Sequence, residues 1–299
     1  MSKWKGKTRG GLTGYKIFIF ILKYLGLNIA YFFLLFVAFY FFVFVPKSTK
    51  IIYRLYRDRF HFGKIKAMWF VYKNYYIFGQ TILDKTAFFA GINPNFTFDF
   101  DGEEYIKQMA TNKTGGLLIS AHIGNFEIAG HLLKRIEGKV HIVLYDAEHQ
   151  QIKEFLNNIF DEKFANMIPI KDDMSHIYAI SKAFENKEIV CMHGDRYLKG
   201  NKTVSVDFLG EEAPLPTGPL YLATKFNIPV SYVYAMKESR KHYHFYATIP
   251  KSYQYPGNLK FRDLKMQDMM KDYASSFEET LKKYPEQWFN YYNFWEKNE

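Results

Sequence analysis

The sequence predicts an α/β protein with a mixed, largely parallel central sheet flanked by helices and an N-terminal membrane-anchoring helix. Three observations carry that expectation. Between Gly115 and His193, apolar strand-like runs alternate with helical stretches, the order that crossover connections of a parallel sheet require. Within that alternation, Gly115-Gly116 opens a short apolar strand that delivers His122 at its end, before a bend at Ile123-Gly124 and a new helix. Finally, Leu25 to Val45 is apolar and long enough to cross a bilayer, which takes about 20 helical residues.

Residues 1–14 hold Lys3, Lys5, Lys7 and Arg9 with no acidic residue, a basic arm suited to an anionic surface. Tyr15 to Val45 is interrupted mainly by Lys16, Lys23, Gly26 and Asn28, and Pro46-Lys47 stops it. The run is too long for a signal peptide, and no small-residue cleavage site follows it. Basic residues flank it on both sides, so charge asymmetry sets no orientation. A hairpin broken near Gly26, with both ends cytoplasmic, is the alternative to a single span, and a buried core helix is the bland reading. Residues 47–92 read as amphipathic interfacial helices rich in Tyr, Phe, Lys and Arg, one of them ending at Ile82-Leu83-Asp84-Lys85.

Phe96–Phe100 alternates like a strand, and an Asp101-Gly102 turn leads to a helix near Glu103–Thr111. Asn125 is a good N-cap for the helix Phe126–Arg135. Strands follow at Val140–Tyr145, Met167–Ile170 and Glu188–His193, with helices at Glu148–Phe160 and Met174–Asn186. A further helix is expected at Pro219–Phe226. Strands at Val230–Ala235 and Tyr243–Ile249 enclose a basic turn of Lys237, Arg240 and Lys241. Residues 264–283 form an amphipathic helix, and Tyr284-Pro285-Glu286-Gln287-Trp288-Phe289 opens an aromatic C-terminal segment. The chain thus divides into a basic arm and anchor (1–46), membrane-proximal helices (47–95) and an α/β catalytic domain (96–299).

Three landmarks carry chemistry. Glu127 falls in the first turn of the helix after His122, where the helix N-terminus keeps a carboxylate ionised. Such a carboxylate beside a histidine fixes its tautomer and strengthens it as a base. Open α/β sheets place their chemistry at the carboxyl ends of strands, which favours this over a merely structural histidine. The second landmark is Met192-His193-Gly194-Asp195-Arg196, whose Asp-Arg pair enters the same crevice as His122 if the two strands run parallel; the alternative is an ordinary surface ion pair. The third runs from Phe208-Leu209-Gly210 to Pro216-Thr217-Gly218-Pro219. There Thr217 and Gly218 open a helix able to receive a phosphate or carboxylate, or simply cap it.

Other chemistries are poorly supported. A single cysteine, Cys191, excludes an intrachain disulfide, and its apolar surroundings read as a buried strand rather than a nucleophile. No Gly-x-Ser-x-Gly elbow, His-Glu-x-x-His pair or Cys/His cluster is present, so neither an acyl-enzyme nor a metal or other cofactor is expected. His131, His141, His176, His242 and His244 read as structural or surface residues. The net charge of +10 favours anionic partners. No helix-turn-helix or zinc module points to nucleic acid.

Taken in order, the anchor, His122-x4-Glu127, Asp195-Arg196, Phe208-Leu209-Gly210 with Pro216-Thr217-Gly218-Pro219, and Pro285-Glu286-Gln287-Trp288 resemble the late acyltransferases of lipid A biosynthesis. These are the lauroyl- and myristoyl-transferases of the glycerolipid acyltransferase superfamily, and the resemblance covers essentially the whole chain. It implies transfer of a fatty acyl group from acyl carrier protein to a lipid hydroxyl at the cytoplasmic face of the inner membrane. By this resemblance His122 is the general base, Glu127 orients it, and Asn125, Asp195, Arg196, Thr217 and Gly218 contribute to substrate binding. Backbone N–H groups around Gly124 or Arg196 are the expected oxyanion donors. One departure concerns the acceptor. Family members acting on lipid A often carry an arginine just after the strand that follows the catalytic helix, whereas this sequence has the acidic Tyr145-Asp146-Ala147-Glu148-His149. Lys171 or Lys199 are the cations that could compensate. The alternatives are the same chemistry on an aminolipid, lysophospholipid or aryl-polyene acceptor, and a non-catalytic protein that binds anionic lipid.

Overall fold

The computed structural model describes residues 11–92, 95–145, 166–171, 173–197, 200–254 and 259–296. The expected helix at Glu148–Phe160, the acidic run after Tyr145, Lys199 and most of the basic arm lie outside these residues.

Helices α1 (Gly11–Tyr24) and α2 (Leu27–Phe44) are separated at Gly26, whose φ of +82° favours glycine. Among the described helices, α2 alone is long and apolar enough to cross a membrane, and most of it is unburied. Its inner face (Leu27, Ala30, Tyr31, Leu34, Ala38) packs on α4 (Lys64–Phe89), where a Cβ at Gly79 would stand 2.4 Å from a Leu34 methyl. Its outer face exposes Phe32, Phe36, Phe39, Tyr40 and Phe44, the surface expected of a helix in contact with lipid. Between them lie α3 (Pro46–Arg54) and a π-helical turn, Leu55–Arg59.

The expected helix end at Ile82–Lys85 is not there, because α4 runs on to Phe89. Asp84 is fully buried inside it, answered by Lys237 at 2.6 Å. Lys237, expected in a basic turn, is the buried last residue of its strand for the same reason.

The α/β part begins with β1 (Thr97–Asp101), α5 (Glu103–Thr111), β2 (Gly116–Ser120), α6 (Phe126–Leu132), β3 (Val140–Tyr145) and β4 (Asn166–Ile170). It continues through α7 (Ser175–Glu185), β5 (Ile189–His193), β6 (Thr203–Phe208), β7 (Glu211–Pro216) and α8 (Gly218–Lys225). Then come β8 (Val230–Lys237), β9 (His242–Ala247) and α9 (Leu259–Lys283). Among the described residues, seven strands make one sheet in the order β1-β9-β8-β2-β5-β3-β4, parallel throughout except for the β8–β9 pair. Strands β6 and β7 form a separate antiparallel ribbon that the sequence reading did not resolve.

Strand β2 is buried along its whole length. Leu117 and Ile119 point into the main core with Val190, Met192 and the α9 residues Tyr273 and Phe277, whereas Leu118 points into a second core with Met109, Ile136 and Ile189. This is the period-two alternation of a strand covered on both faces. Each such leucine or isoleucine contributes about 1.5–3 kcal/mol by leaving water, which fixes the register and therefore where the strand ends.

Candidate active site

Strands β2 and β5 are parallel neighbours in register, so Ser120 lies opposite His193 and the residues beyond them enter one crevice. The Gly194 N–H donates to the Ser120 carbonyl at 2.8 Å. A Cβ at Gly194 would meet Ile119 at 2.8 Å and the Tyr273 ring at 3.0 Å, so the chain turns here only without a side chain. That turn drives Asp195 inward, to 1% exposure, directly behind His122.

Asp195 Oδ1 lies 2.8 Å from His122 Nδ1, and Oδ2 accepts the His122 backbone N–H at 3.1 Å and the Trp288 indole N–H at 3.5 Å. Burial alone would raise the Asp195 pKa, but the adjacent His122 and its hydrogen bond, with Arg196, outweigh it and hold the carboxyl well below the usual range. An ionised carboxylate only accepts, so His122 carries its proton on Nδ1 and presents the Nε2 lone pair. The half-buried His122 is thus held in one tautomer and one orientation.

The loop beneath it is tied from two sides. Gly124 has φ +62°, and a Cβ there would stand 2.0 Å from the Ala235 carbonyl oxygen. That oxygen accepts the Asn125 N–H at 2.8 Å, while the Gly124 N–H donates to the Gln287 carbonyl at 3.0 Å and the Phe289 N–H to the His122 carbonyl at 3.0 Å. Gln287 also grips β8, accepting the Lys237 N–H at 2.9 Å and donating to the Lys237 carbonyl at 2.7 Å.

The chain matches the family described as bacterial lipid A biosynthesis acyltransferase over residues 67–297. It belongs to that family. The protein is therefore an acyltransferase whose acceptor is a lipid. A comparison with curated proteins gives no match. Among solved structures, the 1-acyl-sn-glycerophosphate (LPA) acyltransferase PlsC from Thermotoga maritima aligns over 85% of this chain and 98% of its own, at 14% identity and a TM-score of 0.38.

The acyltransferase arranges the other expected site residues unevenly. Glu127 does stand in the first turn of α6, but its carboxylate pairs with Lys85 of α4 at 2.6 Å, and Asp195 occupies the place beside His122 expected for it. Asn125 is buried and caps α6, accepting the Ile128 N–H at 3.4 Å. Its amide donates to the Thr81 carbonyl at 3.2 Å and the Tyr243 hydroxyl at 3.1 Å, so it positions the loop. Arg196 donates from Nη2 to the Phe289 carbonyl at 3.0 Å, and its buried Nε has no hydrogen-bond partner among the described residues. Thr217 precedes α8 but makes no side-chain cap bond; its hydroxyl donates to the Lys202 carbonyl at 3.2 Å, and Gly218 is the first residue of the helix. Their described contacts keep them on the ribbon side of the fold.

The sequence reading missed His193. Its ring stands edge-on to His122, with centroids 4.3 Å apart, and edge-on to Phe126 at the same distance. Its Nδ1 lies 3.3 Å from His122 Nδ1 and 3.4 Å from Nε2. Burial, reinforced by His122 and Arg196 against the pull of Asp195, pushes its pKa down to about 3, so the ring is neutral at physiological pH. The available signal was that two of the apolar strand runs each deliver a histidine at the carboxyl end. His122, His193 and Asp195 bring three ligand-type atoms within 4.8 Å, a spacing that would accept a divalent cation, although the His122–Asp195 hydrogen bond already uses two of them. Cys191 lies one strand turn away, its thiol pushed up to about 12 by burial.

Proposed function

We propose that this acyltransferase moves a fatty acyl chain from an acyl carrier protein thioester to a hydroxyl of a lipid A precursor, at the cytoplasmic face of the inner membrane. His122 Nε2 removes the hydroxyl proton as the oxygen attacks the thioester carbonyl. The tetrahedral intermediate collapses with cleavage of the carbon–sulfur bond, and the His122 imidazolium returns the proton to the leaving sulfur. Asp195 holds the ring and offsets its transient charge. Glu127, through Lys85, fastens α6 to the membrane-proximal helix and so acts on the base loop from outside.

The observation that carries this reading is the 2.8 Å hydrogen bond from His122 Nδ1 to a buried, ionised Asp195 at the end of two parallel strands. The net charge of +10 supports an acidic carrier as donor. The test is acyl transfer by detergent-solubilised enzyme from carrier thioesters to a panel of lipid acceptors, lipid A precursor first. His122→Ala should lose at least 100-fold, the lower range for a general base, and Asp195→Asn should lose more than Glu127→Gln. Product only on a lipid without phosphorylated sugar would keep the mechanism and move the acceptor, in line with the acidic run after Tyr145. Equal rates for wild type and His122→Ala would refute the base assignment.

A further inference from the structure

We infer that the first turns of α4 form a second membrane-docking site. Ile65, Met68 and Trp69 enter the same leaflet as the outer face of α2, so that α2 lies along the bilayer surface and does not cross it. Neither the acyl donor nor the identity of the base bears on this.

Helix α2 is fastened along its length to elements that belong to the α/β domain or are tied to it. Near its start, Arg240 Nη1 donates to Asn28 Oδ1 at 3.2 Å, and Tyr31 joins the buried cluster of Asp84 and Lys237. At its middle, the Tyr72 hydroxyl donates to the Leu35 carbonyl at 3.2 Å, which fixes the level of α4 beside it. The next residues of α4 reach the other way. Lys73 pairs with Glu286 at 2.7 Å, and the Asn74 amide donates to the Glu286 and Trp288 carbonyls at 3.0 and 2.9 Å. Toward its end, the Phe41 and Phe42 rings of α2 pack against Tyr75 and Tyr72. An 18-residue helix is about 27 Å long, close to the thickness of the hydrocarbon core. Were α2 to span that core, Lys73 and Glu286 would lie near its midplane, together with the segment that seats the His122 loop. Charged groups are strongly disfavoured at that depth. Lying in the interface, α2 leaves the α/β domain in water.

The exposed stripe of α2 is one-sided: Phe32, Phe36, Phe39, Tyr40 and Phe44 recur at three- and four-residue intervals and so share one face. The start of α4 extends it. Ile65, Met68 and Trp69 follow the same spacing and are 87%, 50% and 58% exposed. The Trp69 ring lies 5.7 Å from Tyr72, and Tyr72 lies 6.3 Å from Phe42, so the two surfaces meet at the C-terminal end of α2. Lys47 and Lys50 of α3 and Lys64 and Lys66 of α4 are exposed on the segments that form this junction. Asp58 is the one acidic residue that precedes Asp84 in the chain, so this face meets anionic headgroups with little opposing charge. An indole and lysines at the edge of an apolar helical face are the composition of the bilayer interface.

The test uses the full chain in vesicles of phosphatidylethanolamine and phosphatidylglycerol. In a Trp4→Phe background, Trp69 fluorescence is read against lipids brominated at shallow or deep acyl positions, with Trp69→Phe as the subtraction control. Shallow bromines should quench Trp69 more than deep ones. Ile65→Asp combined with Met68→Asp should remove most of that quenching, while the thermal midpoint and transfer to a detergent-dispersed lipid stay unchanged. For the lie of α2, Lys23→Cys and Lys47→Cys flank the helix and are treated with a membrane-impermeant maleimide in inverted membrane vesicles. Lys265→Cys on the α/β domain is the reference, and the buried Cys191 does not compete. Both flanking positions should label as the reference does. Label at one end only, or at neither while the reference labels, overturns the inference. So does a Trp69 that brominated lipid leaves unquenched. If that unquenched indole responds instead to added acyl carrier protein, the patch is a carrier-docking face.

Discussion

Lys237→Met removes one half of the most deeply buried ion pair described in the molecule. The Lys237 ammonium is fully satisfied, donating to Asp84 Oδ2 at 2.6 Å, the Arg240 carbonyl at 2.8 Å and the Tyr31 hydroxyl oxygen at 3.2 Å. Asp84 also accepts the Tyr31 and Tyr243 hydroxyls, so one cluster joins α2, α4, β8 and β9. In the variant Asp84 keeps two hydroxyl donors and has no countercharge. Removing one partner of a buried pair costs about 3–5 kcal/mol. Burial already raises the Asp84 pKa against the pull of Lys237, so the carboxyl takes up a proton once that pull is gone, which holds the loss near the lower figure, about 3 kcal/mol. At roughly 2–4 °C per kcal/mol for a large domain, the thermal midpoint should fall by roughly 6–12 °C. The assay is thermal unfolding in detergent micelles of wild type, Lys237→Met, Asp84→Asn and the double variant. The double variant should lose clearly less than the sum of the singles, because each single leaves a group the other no longer needs. A Lys237→Met midpoint within 2 °C of wild type, or strict additivity, would refute the claim that these charges depend on one another.

Three further outcomes follow from the site. Gly124→Ala should abolish most transfer while leaving far-ultraviolet circular dichroism unchanged, since a Cβ 2.0 Å from the Ala235 oxygen must break the Asn125–Ala235 hydrogen bond that seats the loop. Stability should fall as pH drops from about 6.5 toward 3. The unfolded His193 ring takes up a proton in that window and the folded one does not, so acid favours the unfolded chain. Thermal midpoints of His193→Asn across that range should show a shallower decline. Cys191, with its thiol pushed up to about 12, should resist alkylation at pH 8 in the folded enzyme and react fully once the chain is unfolded, as read by mass shift.

What could be read from the sequence was local. The buried strands announced themselves as short apolar runs, and the alternation predicted a largely parallel sheet, so Asp195 was expected in the crevice of His122 on the condition that their two strands run parallel, as β2 and β5 do. What escaped were partners far apart along the chain. Asp84 in an apolar helix looks like a stop until Lys237, 153 positions away, is seen against it. Glu127 looks committed to the histidine five residues earlier until Lys85 is seen to hold it. The ribbon escaped for another reason. Pro214 and Pro216 argue against a strand in a sheet interior, yet β7 pairs along one side only, where a missing N–H can be tolerated. His193 was passed over because a histidine ending an apolar strand resembles a core residue until the neighbouring ring is placed beside it.

The grip of Gln287, Trp288 and Phe289 on the His122 loop has a consequence for the order of events in synthesis. Every strand of the sheet precedes these residues in the chain. A polypeptide halted at Tyr284 would contain the whole sheet, the base and its carboxylate partner. It would lack the carbonyl that receives the Gly124 N–H, the N–H that binds the His122 carbonyl and the indole that completes Asp195. Seating of the His122 loop therefore waits for residues 287–289, after every described strand of the sheet has been made.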